Sequence, residues 1–184
     1  MIGTKRKIRH ESLGNIIAVF TLHEIYDLAV QIEKNGEKFF REAVKKASNP
    51  SLKALFLWLA DQEIRHSEWF MRKKASAKTG TDLDEMSGKM LQNILGNQRF
   101  SLGDVDLDGI DNLERLLSIA IEFEEDTIIF FQMLRSLLDD DDSRRGIDEI
   151  IGEEHHHIQA LKEYQEEGKQ DLTGIKEKPD GGNN

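Results

Sequence analysis

Two short motifs in this chain pair a carboxylate with an imidazole at a spacing of three: Glu63-Ile-Arg-His66 and Glu154-His-His-His157. Residues at i and i+3 lie on the same face of a helix, so each motif presents both side chains to one neighbour. An isolated glutamate precedes each motif by about thirty residues, Glu33 in the first case and Glu124 in the second. All six residues fall on apolar stripes of helical period. Buried carboxylates are costly unless they are paired, and no lysine or arginine occupies the same stripes at matching heights. Metal ions would compensate them. Four glutamates carry four negative charges, and two ferrous ions with neutral histidines balance them. Two ferric ions with a bridging oxide balance them equally well. Mixed carboxylate and imidazole donors suit iron or manganese better than calcium or magnesium, and a thiolate-free set argues against structural zinc.

A single Glu-x-x-His in a Glu-rich chain has little weight, and a lone buried histidine is usually a hydrogen-bonded core residue. The weight here comes from repetition. Ala29, Glu33 and Phe39-Phe40 recur as Ala120, Glu124 and Phe130-Phe131, and Leu59 to His66 aligns with Ile150 to His157 without a gap. On the last helix Glu153 and His156 also satisfy the spacing. The repeat and the inward phase favour Glu154 and His157, which leaves His155 and His156 toward a neighbour, solvent or the surroundings of the site.

Four long segments must position these residues. The first opens at Thr21-x-x-Glu24, which has the form of a capping box. Its stripe is Leu22, Ile25, Ala29, Ile32, Gly36, Phe40, Ala43 and Ala47. The second starts at Asn49-Pro50, a cap followed by a proline at the first helical position. Its stripe is Leu52, Leu55, Phe56, Leu59, His66, Trp69 and Phe70, and it ends by Thr79-Gly80. A connection over about 80–110 follows, with a short helix expected over 83–95, capped by Asp82 and closed by Gly96. The third long helix begins at Asp111, with Leu113, Leu117, Ala120, Ile128, Phe131, Leu134 and Leu138 inward. The aspartate run 139–142 ends it, and this run reads as a solvated turn. The fourth covers about 143–167, with Ile147, Ile150, His157, Leu161 and Tyr164 inward.

Short turns make antiparallel neighbours. The expected fold is therefore all-α: a ferritin-like four-helix bundle over 21–167, built from two antiparallel hairpins joined by a long crossover. Residues 1–20 form an N-terminal extension, and 168–184 read as a disordered tail.

Composition narrows the function. The 184 residues suffice for one sizeable core. The absence of cysteine excludes disulfides, thiolate metal sites and a cysteine nucleophile. A net charge of −10, with only Lys5, Arg6, Lys7 and Arg9 as a basic cluster, opposes nucleic-acid binding. No apolar run has the length of a membrane span and no signal-peptide cleavage site is apparent, so a cytoplasmic location is expected. The stretch Asp104-x-Asp106-x-Asp108-Gly109 resembles the first half of a calcium loop, but Arg115 occupies the position that requires a bidentate Glu.

Over about residues 21–167 the sequence resembles the rubrerythrin and ferritin-like di-iron family. The carrying segments are Ala29-Val-Gln-Ile-Glu33-Lys-Asn-Gly-Glu-Lys-Phe-Phe40, Glu63-Ile-Arg-His66, Ala120-Ile-Glu-Phe-Glu124-Glu-Asp-Thr-Ile-Ile-Phe-Phe131 and Glu154-His-His-His157. The resemblance implies two iron ions, with Glu33 and Glu124 as single ligands, Glu63 and Glu154 as bridging carboxylates and His66 and His157 as terminal ligands. It implies oxidation of ferrous iron by dioxygen or reduction of hydrogen peroxide, or iron binding and storage instead, and a homodimer. Three features depart from the family pattern. There is no cysteine-ligated iron domain, so an electron donor must be a separate protein. Thr127 stands where rubrerythrins tend to carry another Glu. Phe40 and Phe131 stand where the family often has Tyr.

Overall fold

The computed structural model describes residues 21–77 and 113–174, with side chains described as far as 166. Four helices make up these residues: α1 (Leu22–Lys46), α2 (Pro50–Ser76), α3 (Leu113–Ser136) and α4 (Asp141–Gly174). The helix expected over 83–95, the calcium-like stretch at Asp104, residues 1–20 and residues 175–184 lie outside the described residues.

The helix starts follow from local chemistry. Glu24 N donates to Thr21 Oγ1 at 3.2 Å, and Thr21 N donates back to Glu24 Oε2 at 2.8 Å, a complete capping box. At α2, Ser51 N donates to Asn49 Oδ1 at 2.7 Å, and Pro50 occupies a position whose missing N–H costs nothing. The aspartate run does more than break the chain. Asp140 caps α4, accepting from Ser143 N at 2.7 Å, so the helix starts at Asp141 rather than at Ser143 as the sequence suggests. The hydrogen bond from the Ser143 amide holds Asp140 below the ordinary carboxylate range. Asp142 pairs with Lys73 of α2 at 2.5 Å. Helix α4 also runs beyond Glu167, to Gly174.

The helices form a square. Besides the two hairpins α1–α2 and α3–α4, α1 lies beside α3 and α2 beside α4. In an up-down-up-down bundle α2 and α3 would be neighbours across a short loop. Here segment 78–112 joins diagonal helices, which requires the long middle connection. The core comes from the predicted stripes, with Ile25, Ala29, Phe40, Phe56, Leu59, Leu117, Phe131 and Ile147 all fully buried. Phe70 meets Phe131 across the bundle at 4.8 Å between ring centroids. One stripe residue departs: Leu113, the first residue of α3, is 41 % exposed. Tyr26, Val30 and Phe39 are buried beyond the predicted stripe of α1, because a helix packed against two neighbours buries more than one row.

Gly146 sets how closely α4 approaches α2. A Cβ there would lie 2.3 Å from Cζ2 of Trp69. A Cβ at Gly152 would meet nothing within 4 Å. The two glycines should therefore respond in opposite directions to alanine. Gly152→Ala should raise the melting temperature, since removing a helical glycine gains ~0.5–1 kcal/mol. Gly146→Ala should lower it, because overpacking costs ~1–3 kcal/mol, and Trp69→Leu in the same chain should restore it. Thermal unfolding of the metal-free variants reads both signs, and a shared sign would show that Trp69 does not set the helix spacing.

Candidate metal centre

Each helix delivers its share of the site from its inner face: Glu33 from α1, Glu63 and His66 from α2, Glu124 from α3, Glu154 and His157 from α4. The structure brings all six together, and none is more than 2 % exposed. Glu154 lies between the two imidazoles. Its Oε1 is 2.9 Å from His66 Nδ1 and its Oε2 is 2.7 Å from His157 Nδ1. The outer glutamates flank them, Glu33 at 3.5 Å from His66 Nδ1 and Glu124 at 3.5 Å from His157 Nδ1. The two rings stand nearly parallel, 5.8 Å apart. The internal repeat of the sequence is thus a two-fold arrangement in space.

Two donor clusters result. Glu63, Glu124, Glu154 and His157 each offer one atom within 4.8 Å of the others, and so do Glu33, His66 and Glu154. Glu154 belongs to both. Two overlapping clusters that share a carboxylate are what a pair of adjacent ions needs. Gly36 provides the space for one of these donors. A Cβ there would fall 2.7 Å from Glu63 Oε2 and 3.0 Å from the Phe123 ring.

The donors fit metal ions because they have little else to bind. All eight oxygens of the four carboxylates lack a hydrogen-bond partner, as do Nδ1 of His66 and both ring nitrogens of His157. The short approaches to Glu154 are thus contacts without well-directed N–H···O geometry. Among the described residues no Lys or Arg pairs with the four glutamates. In the metal-free protein, protons take the place of cations. Burial pushes the Glu33 and Glu63 carboxyls well above their usual range, reinforced by their acidic neighbours. Burial, followed by the charge of Glu154, raises Glu124 to about 8. Burial opposes protonation of the histidines, but the carboxylates around them prevail and lift His66 to about 9 and His157 to about 10. Burial also opposes ionisation of Glu154, yet the two imidazoles hold it below the usual carboxylate range.

Glu153, the rival residue in the last motif, is not turned in with the other four glutamates. Its carboxylate reaches around to His66, with Oε2 2.6 Å from Nε2. His155 and His156 are exposed. Glu37 pairs with Arg41 at 2.8 Å, Glu122 with Arg115 at 3.8 Å and Glu125 with Lys162 at 3.1 Å, all at the surface; helical phase turns Glu122 and Glu125 away from the stripe, while Glu37 lies closer to it. Two features, Trp58 and Gln62, escape the sequence pattern, and a third, Thr127, stands out there only as a departure from the family. Trp58 is 41 % exposed, yet its ring meets His157 edge-on at 5.2 Å. Thr127 is fully buried with an unpartnered hydroxyl. Gln62 is buried beside Glu63. The repeat pairs Gln62 with Glu153, and that alignment is the signal that could have drawn attention to Gln62.

The fold and the buried carboxylate–histidine cluster define a ferritin-like bundle of the di-iron carboxylate class. The family model named Rubrerythrin matches residues 24–165, and the chain belongs to that family. A solved structure from Thermotoga maritima, assigned as a ferritin-like diiron-carboxylate protein, is similar to it with a TM-score of 0.63 and 26 % identity, covering 82 % of this chain and 97 % of that one. No curated protein was found to match the sequence.

The protonation pattern fixes the pH dependence of the metal-free protein. Glu33, Glu63 and Glu124 bind protons more tightly folded than unfolded, so their contribution is lost as pH rises above about 4.5, through about 8 for Glu124. His66 and His157 contribute fully below 6.5, and that contribution is lost as pH rises through about 9 and about 10. Glu154 acts oppositely, but only at acid pH. The melting temperature of the metal-free protein should therefore fall steadily from about pH 6 to about pH 10. A flat or rising profile would show that the cluster does not hold these protons.

Proposed function

We propose that the protein is a non-haem di-iron oxidoreductase that oxidises ferrous iron with dioxygen or reduces hydrogen peroxide, in the manner of rubrerythrins. The observation that supports this best is the set of four buried carboxylates and two buried imidazoles that no Lys or Arg among the described residues neutralises. Glu33, Glu63, His66, Glu124, Glu154 and His157 would hold the two ions, with Glu154 reaching both positions. Two adjacent iron ions, when bound, supply the two electrons that reduction of peroxide to water requires.

The chain's own residues set the conditions. The four carboxylates match the charge of two ferrous ions, so the loaded site buries little net charge. Phe123, Phe130 and Phe131, all buried, line the core near Glu124 and keep bulk water away. Protons held by Glu33, Glu63 and Glu124 in the metal-free protein must leave when ions enter. Thr127 offers a buried hydroxyl one helical turn beyond Glu124. It cannot take a metal as a carboxylate would, which favours the oxidation of ferrous iron over a peroxidase cycle that exchanges ligands. In the oxidation of ferrous iron the iron itself supplies the electrons; in a peroxide-reducing cycle, with no cysteine in the chain, they would come from a separate donor protein. No helix among the described residues is long and apolar enough to cross a membrane, and we place the protein in the cytoplasm, as a homodimer.

Stopped-flow mixing of the ferrous-loaded protein with dioxygen and, separately, with hydrogen peroxide tests this reading. The parent should oxidise its iron faster than iron free in buffer. Glu63→Ala should lose most of that acceleration, on the order of a hundredfold by analogy with other disrupted metal-site ligands. Equal rates for parent and variant would refute the activity. An advantage with dioxygen but none with peroxide would assign the ferroxidase reaction.

A further inference from the structure

The two imidazoles are equivalent by the internal repeat but not by what supports them from behind. Both turn Nδ1 toward the shared carboxylate of Glu154. On the far side of the His66 ring, Nε2 lies 2.6 Å from Glu153 Oε2. On the far side of the His157 ring, Nε2 is buried and has no hydrogen-bond partner, and the half-exposed Trp58 makes a T-shaped contact with the ring. The sequence carries the same difference. The residue before the shared-face glutamate is Glu153 in one half and Gln62 in the other. A carboxylate stands in one place and an uncharged amide in its counterpart.

A histidine that ligates through one nitrogen usually donates its other N–H to an acceptor, which fixes the tautomer, holds the ring plane and makes the ligating nitrogen more basic. We propose that Glu153 is a positioning residue for His66. It accepts the Nε2–H, leaves the Nδ1 lone pair facing the interior, and strengthens the metal position that His66 serves while the position of His157 lacks that support. This rests on the reading that the six buried residues hold two metal ions. It goes beyond that reading in making one of the two positions, and not the other, depend on Glu153 of α4.

Glu153 suits the role because of how it reaches the ring. It lies on the outward side of α4, with its side chain 53 % exposed, yet its oxygen meets a buried imidazole of α2. It therefore links the two hairpins at the level of the metals. Glu149 supplies a control: it lies one turn earlier on the same helix, is exposed, and is not part of the donor set.

Anaerobic titration of the metal-free full chain with cobalt(II), followed by the visible d–d absorption, separates the two binding steps. In the parent, two cobalt ions per chain are expected. Glu153→Gln keeps an acceptor oxygen and removes the charge, and it should weaken one step by about ten- to a hundredfold. The other step should stay within about twofold, and the cobalt spectrum of the weakened step should shift. Glu153→Ala should weaken the same step at least as much, and Glu149→Gln should change neither. Equal weakening of both steps, no weakening, or the same effect from Glu149→Gln would overturn the proposal, since each describes a surface charge and not an imidazole support. A parent that binds no cobalt would instead overturn the metal site itself, so the two failures can be told apart.

Discussion

Everything in this bundle depends on the burial of four carboxylates that no arginine or lysine among the described residues neutralises. Glu33, Glu63, Glu124 and Glu154 are all 1 % exposed or less. A carboxylate in an apolar core must be protonated, paired or bound to a cation, because each unpaired charge costs several kcal/mol even after relaxation, on the order set by its lost hydration. Without metal, burial favours protons on Glu33, Glu63 and Glu124, and the carboxylates around them favour protons on both histidines. Two divalent cations would resolve it without protons. The fold accommodates both solutions because the donors sit on rigid helices whose remaining inner positions are aromatic and aliphatic.

The same constraint explains the symmetry. A pair of ions needs two similar half-sites and a group that reaches both. The duplicated hairpin supplies the half-sites, Glu33 with His66 and Glu124 with His157, and Glu154 spans them. The square arrangement, with α1 beside α3 and α2 beside α4, brings the four inner faces to one centre. Departures from symmetry are then informative. Gly36 faces Glu63 where the other half has the bulkier Thr127, and Glu153 backs His66 where Gln62 stands in the other half. These differences give the two imidazoles unlike surroundings.

Much of this was legible in the sequence because it is encoded locally. The capping box at Thr21, the cap and proline at Asn49-Pro50 and the apolar stripes depend on residues within a few positions of each other. The gathering of Glu33, Glu63, His66, Glu124, Glu154 and His157 was legible because helical phase and an internal repeat both point them inward. What was not legible depends on distance in the chain. The start of α4 shifted because Asp140 serves as a cap, and a run of four aspartates does not say which one will. Leu113 has the right phase but lies at a helix end with too little around it. The reach of Glu153 to His66 crosses from α4 to α2, and sequence spacing alone presents Glu153 only as a competitor to Glu154. Trp58 lies on the outer side of α2, and only the packing of α4 against that helix brings His157 to its edge. The fit of Trp69 over Gly146 likewise exists only once the hairpins dock.

The central claim is that six buried side chains form one container for two ions. An anaerobic ferrous titration of the metal-free protein, with bound iron counted per chain, tests it most directly. The account predicts saturation at about two irons per chain, with the four-Glu, two-His set filled. Saturation at one, or no stoichiometric uptake at all, would contradict it and leave the buried carboxylates to be explained by protons alone.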